Sequence, residues 1–325
     1  MTILVTGANG LIGSHVVRSL LKRDYAVRAL VRESADLRNL DGLNVELVRG
    51  DLLKAGSIVD AATGCKAIIH AAGLTSTSPY KRWRVWEVNF IGIANVLNAA
   101  HVAGVEKVIY TASIFTLGAS VNGQPVAEGV EDNLKQLKFA YIAARRAAQA
   151  KAEKFAAGGL PIVYVYPTYC LGPGFHNINL PPQRQIIAYL RGGLPFCPSG
   201  GLNIVDARDV GEAHVLALEN GGIGQRYLVG GENITFRELF ARLGKAAHRR
   251  MPILPAPNGA IRAGGWLMQW FSSAPLMDAA TARLMRYRWY YDSSKAANEL
   301  GYSPRPLDET LCDMVAWLRE NHYIR

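Results

Sequence analysis

The feature that most restricts the fold is an alternation of short apolar runs with helical patterns through the first half of the chain. Three segments, 11–23, 86–104 and 139–157, place apolar residues at helical spacing. Between them lie six apolar runs: TILVT (2–6), AVRALV (26–31), VELV (45–48), AIIH (67–70), KVIYT (107–111) and PIVYVY (161–166). Continuous apolar strands that are separated by helices are typical of a parallel sheet covered on both faces. The sequence therefore predicts an α/β fold with a doubly wound parallel sheet of the Rossmann type.

Three regularly spaced glycines follow the first predicted strand. In VTGANGLIG, Gly7, Gly10 and Gly13 form a GxxGxxG array that opens a helix. In such a turn the first glycine permits the tight bend, the second lets the backbone approach a pyrophosphate, and the third allows close helix–strand packing. The helix N-terminus favours an anion at the same place. Because the array stands between a strand and a helix, we expect a dinucleotide site rather than a merely structural turn. Its other expected contacts in this turn are Asn9, Leu11 and Ile12.

The end of the second strand bears on which dinucleotide is bound. Folds that prefer NAD place an acid here to bond the ribose 2′-hydroxyl, whereas this chain has Arg32, with Arg28 and Arg38 nearby. A guanidinium suits a 2′-phosphate because its fork donates two hydrogen bonds. We therefore expect NADP, with NAD as the alternative if Arg32 is only a surface residue. Asp51, followed by Leu52, is placed either to bond the adenine amino group or to cap a helix.

The second half of the chain changes in character after PTYCLGPG (167–174), where Pro and Gly become frequent. The run QRYLV (225–229) is expected to return a strand to the sheet, and the chain from 235 onward has mostly helical patterns. We therefore predict a dinucleotide-binding domain over 1–173 with a return segment near 206–234, and a smaller, mostly helical substrate lobe over 174–325. Within that lobe, GGWLMQWFSSAPLM predicts an amphipathic helix or a lid.

Composition restricts the partners. The formal net charge is +10, which favours an anionic ligand. The basic residues are scattered and no helix-turn-helix, zinc-finger or aromatic RNA-binding pattern is present, so we expect no nucleic-acid partner. The 4 cysteines lack paired spacing and the 7 histidines lack ligand spacing, which predicts no metal site and fits a cytoplasmic location. No uncharged run reaches the roughly 20 residues of a membrane span.

Several blocks, taken together and in order, carry a family resemblance. They are TGANGLIG, HAAG (70–73), VNFIG (88–92), VIYTAS (108–113), PTYCLGPG (167–174), NIVDARDVGEAH (203–214), GGEN (230–233) and YYDSSKAANELGYSPRPL (290–307). With them the chain resembles an extended short-chain dehydrogenase/reductase of the NAD-dependent epimerase/dehydratase group, particularly hopanoid-associated sugar epimerases and dihydroflavonol-4-reductase-like proteins. The likeness runs almost end to end.

This resemblance implies roles for individual residues. Ser113 would bond the substrate oxygen, and Tyr141 would exchange a proton while the nicotinamide exchanges hydride. Asn89 matches an asparagine of the central helix, either as a catalytic participant or as a core-bonded residue. The remaining implied cofactor contacts are Ala71, Ala72 and Gly73 beneath the cofactor and Pro167 and Thr168 beside the nicotinamide.

The chain departs from the family pattern at one position. The pattern is Tyr-x-x-x-Lys, and here Arg145 follows Tyr141 by one helical turn. In the family the lysine bonds the nicotinamide ribose and lowers the tyrosine pKa from about 10. Arginine keeps the positive charge, but it is planar and does not release a proton. We therefore expect the acidifying field to persist and proton relay through this side chain to be lost.

Three functions remain open from the sequence. Arg32 favours an NADP-dependent oxidoreductase that acts on a carbonyl or alcohol of a small molecule. The basic segment YKRWR (80–84) favours the second function, a nucleotide-sugar epimerase or dehydratase with tightly held NAD, unless it is only an exposed loop. Arg145 favours the third, a catalytically weakened dinucleotide-binding sensor or scaffold. A homodimer through 86–104 and 139–157 is expected in each case.

Overall fold

The seven-stranded parallel sheet predicted by the sequence is the centre of the fold in a computed structural model of the protein. The structure describes residues 1–325 except 131, 175, 177–180, 194–195, 250–253, 258, 261–262, 265 and 267–278. In chain order the strands are β1 (Thr2–Thr6), β2 (Ala26–Val31), β3 (Glu46–Arg49), β4 (Ala67–His70), β5 (Lys107–Thr111), β6 (Ile162–Pro167), β7 (Tyr169–Leu171), β8 (Phe196–Cys197), β9 (Gly201–Asp206), β10 (Arg226–Val229), β11 (Glu232–Thr235), β12 (Leu254–Pro255) and β13 (Arg288–Trp289). The sheet order is β10-β6-β5-β4-β1-β2-β3, with every neighbouring pair parallel. The return of the run at 225–229 to this sheet is thereby confirmed.

Helices cover both faces of the sheet. They are α1 (Leu11–Leu21), α2 (Ala55–Ala62), α3 (Arg82–Trp86), α4 (Gly92–Val102), α5 (Ala140–Ala157), α6 (Pro181–Leu190), α7 (Ala207–Asn220), α8 (Phe236–Ala246), α9 (Ala279–Leu284), α10 (Ser294–Leu300) and α11 (Leu307–Glu320). Strand side chains alternate between the faces, so that Leu4 packs into one core with α2, α4 and α5 while Ile3 and Val5 pack into the other with α1 and α7. Both faces of the central strands are buried, which explains why those strands are continuously apolar, whereas the edge strand β3 is largely exposed.

The central helix differs from its predicted form. We expected one helix over 86–104, but helical structure begins at Arg82 and includes a π-helical stretch, Glu87–Ile91, between α3 and α4. Such π turns insert an extra residue and often occur at functional sites. Apolar spacing alone does not reveal the insertion, because the residues on both sides keep helical periodicity.

Beyond residue 174 the chain forms more than helices. Strand β9 pairs with β7, β11 and β13 in a small sheet, and β8 pairs with β12. Three of these strands, β8, β12 and β13, have only two residues each, too few to show an alternation. The domain division at 173/174 stays a prediction. The helix or lid predicted in 264–277 lies largely outside the described residues.

The carboxyl ends of four central strands meet at one edge of the sheet. Thr6 is paired with His70, His70 with Tyr110, and Thr111 with Val165. The segments that follow these strands are therefore neighbours, and they include the glycine turn, residues 71–73 and Ser113. Ligands of doubly wound sheets bind at this edge. In the described part of the chain, no helix is long and apolar enough to cross a membrane.

Candidate active site

Two of the three glycines in the turn after β1 are required by the packing of the protein itself. Gly7 has φ +71°, and a Cβ atom there would lie 2.7 Å from the backbone of Ala72. A Cβ atom at Gly13 would overlap the carbonyl oxygen of Gly7 and lie 2.7 Å from its carbonyl carbon. These contacts hold α1 against β1 and the 71–73 segment against the turn.

Gly10 is less constrained by the protein than Gly7 and Gly13 are. It has φ −79°, which any residue adopts, and the nearest atom to an added Cβ would be Gly7 O at 3.2 Å. Gly10 is the N-cap of α1, and neither a capping side chain nor an acidic residue in the first turn occupies the helix N-terminus. This geometry fits an anion approaching the backbone at Gly10. Asn9 braces the turn, since it donates to Asp36 O (3.1 Å) and accepts from Asn39 Nδ2 (3.0 Å).

Three arginines lie on or after β2, and the structure separates their roles. Arg28 donates to Glu46 (2.8 Å) and to the carbonyl oxygens that end α2, so it cannot assist a ligand at the other end of the strand. Arg38 binds Asp36 at 2.5 Å, and this hydrogen-bonded pairing lowers the pKa of Asp36 to about 2. The exposed side chain of Arg32 has neither a hydrogen bond nor an ion pair within the described residues. Arg32 is therefore the cation that is available to a ligand phosphate.

Asp51 and Leu52 make local contacts after β3. Asp51 Oδ1 accepts from Leu53 N at 3.0 Å, which closes a turn before α2. Leu52 O accepts from Asn95 Nδ2 at 2.8 Å. Asp51 therefore closes a turn and does not cap α2, whose N-cap is Lys54, and a bond to adenine would use the other carboxylate oxygen.

Asn89 is a buried residue of the π-helical stretch, and its amide is fully used by the protein. Its Nδ2 donates to Leu74 O and Val85 O, each at 2.9 Å, and its Oδ1 accepts from Leu74 N at 3.0 Å. These bonds hold the chain directly after Gly73. Asn89 therefore supports the 71–73 segment, and a direct part in proton transfer would require it to break these bonds.

Ser113 and Tyr141 both contact Phe115 in the packing of the site. Ser113 Oγ accepts a long hydrogen bond from Phe115 N (3.4 Å), and the Phe115 and Tyr141 rings meet edge to face at 5.8 Å between centroids. Tyr141 Oη makes no hydrogen bond within the described residues. Both hydroxyl groups are therefore free to bind a substrate oxygen. The contact of Phe115 with the site could not be predicted from the sequence, because the position of this residue depends on the short 3₁₀ helix Ile114–Thr116.

Arg145 is only 6% exposed and has no carboxylate partner among the described residues. Its Nη2 donates to Thr111 O at 2.6 Å, and its Cζ lies 5.8 Å from the centroid of the Tyr110 ring. Its Nη1 is turned toward the 71–73 segment, 3.7 Å from where a Cβ of Gly73 would lie. Burial lowers the pKa of Arg145, but neighbouring tyrosine hydroxyls outweigh it, so that the pKa lies above its usual range. The guanidinium is a permanent buried cation one turn from Tyr141.

The neighbouring histidine is kept neutral. Burial and then the charge of Arg145 lower the pKa of His70 to about 3. Its Nδ1 is hydrogen-bonded to Thr6 Oγ1 at 2.7 Å. A neutral ring at the end of β4 adds no second positive charge beneath the site, so the field at Tyr141 comes from Arg145.

The remaining predicted contacts lie at the far side of the edge. Pro167 ends β6, and Thr168 Oγ1 donates to Asn203 Oδ1 at 2.8 Å. The Thr168 hydroxyl is thus used to join the main sheet to β9, which leaves Pro167 and the Thr168 backbone to border a ligand. In the basic segment, Trp83 is 66% exposed. In the part of the chain that is described, no group of residues could hold a metal ion.

Comparison with known proteins agrees with this geometry. A family model described as the NAD dependent epimerase/dehydratase family matches residues 3–230. The chain belongs to this family. It is an NAD(P)-dependent enzyme of the extended short-chain dehydrogenase/reductase type, a group that includes reductases, epimerases and dehydratases.

Individual relatives cover most or all of the chain. Sterol demethylase protein B of Methylococcus capsulatus is 30% identical over 338 residues, with 100% of each chain covered. Dihydroflavonol 4-reductase of Zea mays is 29% identical over 264 residues, covering 74% of this chain and 73% of its own. The crystal structure of gox2253 has a TM-score of 0.88 at 32% identity and covers 100% of this chain and 99% of that one.

Proposed function

We propose that this family member is an NADP-dependent oxidoreductase that reduces a carbonyl, or oxidises an alcohol, on a small molecule. The observation that carries the proposal is Arg32, an exposed guanidinium without a protein partner in the described structure, at the end of β2 where an NAD-preferring site has an acid. An exposed guanidinium that contacts only water adds little to the stability of the protein. A phosphate dianion would accept two charge-assisted hydrogen bonds from it.

The residues fit a dinucleotide along the sheet edge. Gly10 and the N-terminus of α1 would hold the pyrophosphate, Arg32 the 2′-phosphate, and Arg145 Nη1 the nicotinamide ribose. The bound cofactor supplies or accepts the hydride. The 71–73 segment, fixed by Asn89 and by Gly7, would form the floor of this site.

The protein residues then handle the proton and the substrate oxygen. In the reductive direction, Ser113 Oγ donates a hydrogen bond to the substrate carbonyl oxygen, and Tyr141 Oη transfers its proton to that oxygen. The phenolate that remains is stabilised by Arg145, whose charge is fixed because the guanidinium does not deprotonate. Arg145 thus acts by its charge and by ribose binding, and Tyr141 must regain its proton by another path.

A second function is favoured by the family match itself. Members of an epimerase/dehydratase family include enzymes that would return the hydride to the same substrate, and such an enzyme would hold NAD tightly. A nucleotide sugar would be the substrate in that case. The exposed basic segment 80–84 is compatible with an anionic substrate, but none of its described contacts forms a pocket around one.

Bound nucleotide distinguishes the two functions. We would denature the purified protein and analyse the extract by chromatography. An NADP-dependent reductase exchanges its cofactor in each turnover, so we expect little retained nucleotide and saturable binding of added NADPH. Stoichiometric NAD in the extract would instead support the epimerase or dehydratase.

The assembly and location belong to the same proposal. We propose a cytoplasmic homodimer through the helical segments 86–104 and 139–157, supported by Ile91 and Val102, which are apolar and exposed on the outer face of the central helix. All four cysteines are free. Light scattering of the purified protein would report a dimer mass, and a monomer mass at micromolar concentration would contradict this part of the proposal.

A further inference from the structure

Three buried polar atoms without a hydrogen-bond partner lie where α5 packs on the sheet. They are Arg145 Nε, Gln149 Oε1 and Tyr166 Oη, and the only other such side-chain atoms in the described residues belong to Ser120 and His176. Arg145, Gln149 and Tyr166 are each more than nine-tenths buried. Buried polar atoms are almost always hydrogen-bonded to protein or to ordered water, so three at one interface require an explanation.

The fold places these side chains on facing surfaces. Tyr141, Arg145, Gln149 and Glu153 follow one another at four-residue spacing, so they share one face of α5. On the sheet, Tyr164 is paired with both Tyr110 and Arg226, and all three side chains lie in one row across β5, β6 and β10. Tyr166 is two residues beyond Tyr164 and points to the same face.

Two contacts fix the level of α5 along the sheet. Arg145 donates to Thr111 O near the active-site edge, and Glu153 pairs with Arg226 at 2.6 Å near the opposite edge. Gln149 lies one turn from each, so its side chain must lie over the tyrosine face between these two levels.

The hydrogen bonds of these side chains form two groups that no protein hydrogen bond joins in the described structure. From the surface inward, Arg226 pairs with Glu153, and Gln149 Nε2 donates to Glu153 Oε1 at 2.9 Å. At the inner end, Arg145 Nη2 donates to Thr111 O. Between these parts stand an unused acceptor, Gln149 Oε1, and an unused donor, Arg145 Nε. The two atoms are chemically complementary and belong to residues one helical turn apart. The Tyr166 hydroxyl is near enough to Arg145 to help raise the pKa of its guanidinium.

We propose that one buried water molecule joins these atoms, accepting from Arg145 Nε and donating to Gln149 Oε1 and Tyr166 Oη. Three hydrogen bonds are typical of a buried water. Gln149 and Tyr166 are then positioning residues, which hold the guanidinium plane so that Nη1 faces the 71–73 segment. The link also couples the buried cation to the carboxylate of Glu153, which is otherwise two turns away.

The effect on the cofactor rests on the proposed function, whereas the water itself does not. A crystal structure of the full chain at a resolution that shows ordered water is therefore the first test. We expect one water within about 3 Å of all three atoms. The proposal is wrong, whatever the activity, if no water lies between the three atoms or if Arg145 Nε bonds directly to Gln149 Oε1.

A double-mutant cycle is the second test. Gln149→Leu and Tyr166→Phe each remove one partner of the water, and each should raise the NADPH Kd on the order of fivefold. Because both act through one water, the double variant should be little worse than the worse single variant. Gln149→Glu keeps an acceptor but loses the donor to Glu153 and places two carboxylates together, so it should not restore binding. Tyr164→Phe is the control, because it removes a hydroxyl from the same strand face that is not among the unpartnered atoms. The NADPH Kd of this variant should equal that of wild type.

The outcomes separate this inference from the function. Additive effects of the two substitutions, or a loss in Tyr164→Phe as large as in Tyr166→Phe, would show that the residues act independently through packing. Circular dichroism confirms that each variant is folded, and if Gln149→Leu does not fold, the wild-type crystal structure still decides. If the crystal structure shows the water but Tyr141→Phe retains full turnover, the structural inference is confirmed and the proposed function is contradicted.

Discussion

The glycine turn allows a prediction in which closely spaced glycines behave differently. A Cβ at Gly13 would overlap backbone atoms of Gly7, and overpacking of this kind costs typically 1–3 kcal/mol. At Gly7 the positive φ adds roughly 1–2 kcal/mol for any residue with a side chain. Gly10 is less constrained, because its φ is −79° and an added Cβ would lie 3.2 Å from Gly7 O, a tight contact that a shift of a few tenths of an ångström relieves. Substitution at Gly10 should therefore affect the ligand and not the fold.

We predict that Gly10→Val abolishes NADP(H) binding and lowers the Tm of the ligand-free protein by at most a few degrees, since the net change in stability should stay below about 1 kcal/mol. The matched control is Gly13→Ala, a smaller side chain in the same turn, which should lower the ligand-free Tm more than Gly10→Val does. Thermal unfolding without nucleotide and calorimetric titration with NADPH measure the two quantities separately. Normal nucleotide binding by Gly10→Val, or wild-type stability of Gly13→Ala, would refute the reasoning.

Three further predictions concern catalysis and pH. Tyr141→Phe should remove nearly all turnover on any substrate found while the NADPH Kd stays close to wild type; turnover at the wild-type rate would mean that the binding-protein function applies. Arg145→Lys should preserve or improve kcat, whereas Arg145→Met should weaken both kcat and cofactor binding, because it removes the field and the ribose contact together; equal kinetics of the two variants would contradict this role. His70 has a pKa of about 3 in the folded protein, below the 6.5 of an unfolded histidine. Its contribution to the free energy of unfolding is therefore complete above pH 6.5 and is lost as the pH falls toward 3, by up to about 1.4 kcal/mol per pH unit. Urea unfolding at a series of pH values should show a shallower acid loss in His70→Asn than in wild type, and the exposed control His101→Asn should not change it.

Much of the fold follows from the sequence because the sheet is buried on both faces. A strand such as AIIH (67–70) has apolar side chains on both faces, so both faces must be buried. Because such strands alternate with helices along the chain, few arrangements other than a doubly wound sheet are possible. The small sheet around β9 could not be predicted in this way. Its strands are short, and their pairing is set by the tertiary position of the lobe rather than by a local pattern.

The candidate site was predictable where a residue type has one structural reason in its local context, as at Gly7, whose φ is +71°. The role of Gly10 toward a pyrophosphate stays a prediction. The site was not predictable where backbone atoms supply the contact. Nothing in the sequence indicates that Arg145 donates to Thr111 O or that Asn89 holds Leu74. The four-residue spacing of Tyr141, Arg145, Gln149 and Glu153 was visible, but only the packing of α5 on the tyrosines gives it significance.

The preference between the two cofactors tests the central claim most directly. Wild type and Arg32→Ala should each be titrated with NADPH and NADH by calorimetry. Two charge-assisted bonds to the 2′-phosphate are worth about 1.5–3 kcal/mol, so wild type should bind NADPH roughly ten- to a hundredfold more tightly than NADH. Arg32→Ala should lose that preference while its NADH affinity stays the same. Equal affinities of the wild-type protein for NADPH and NADH would contradict the account.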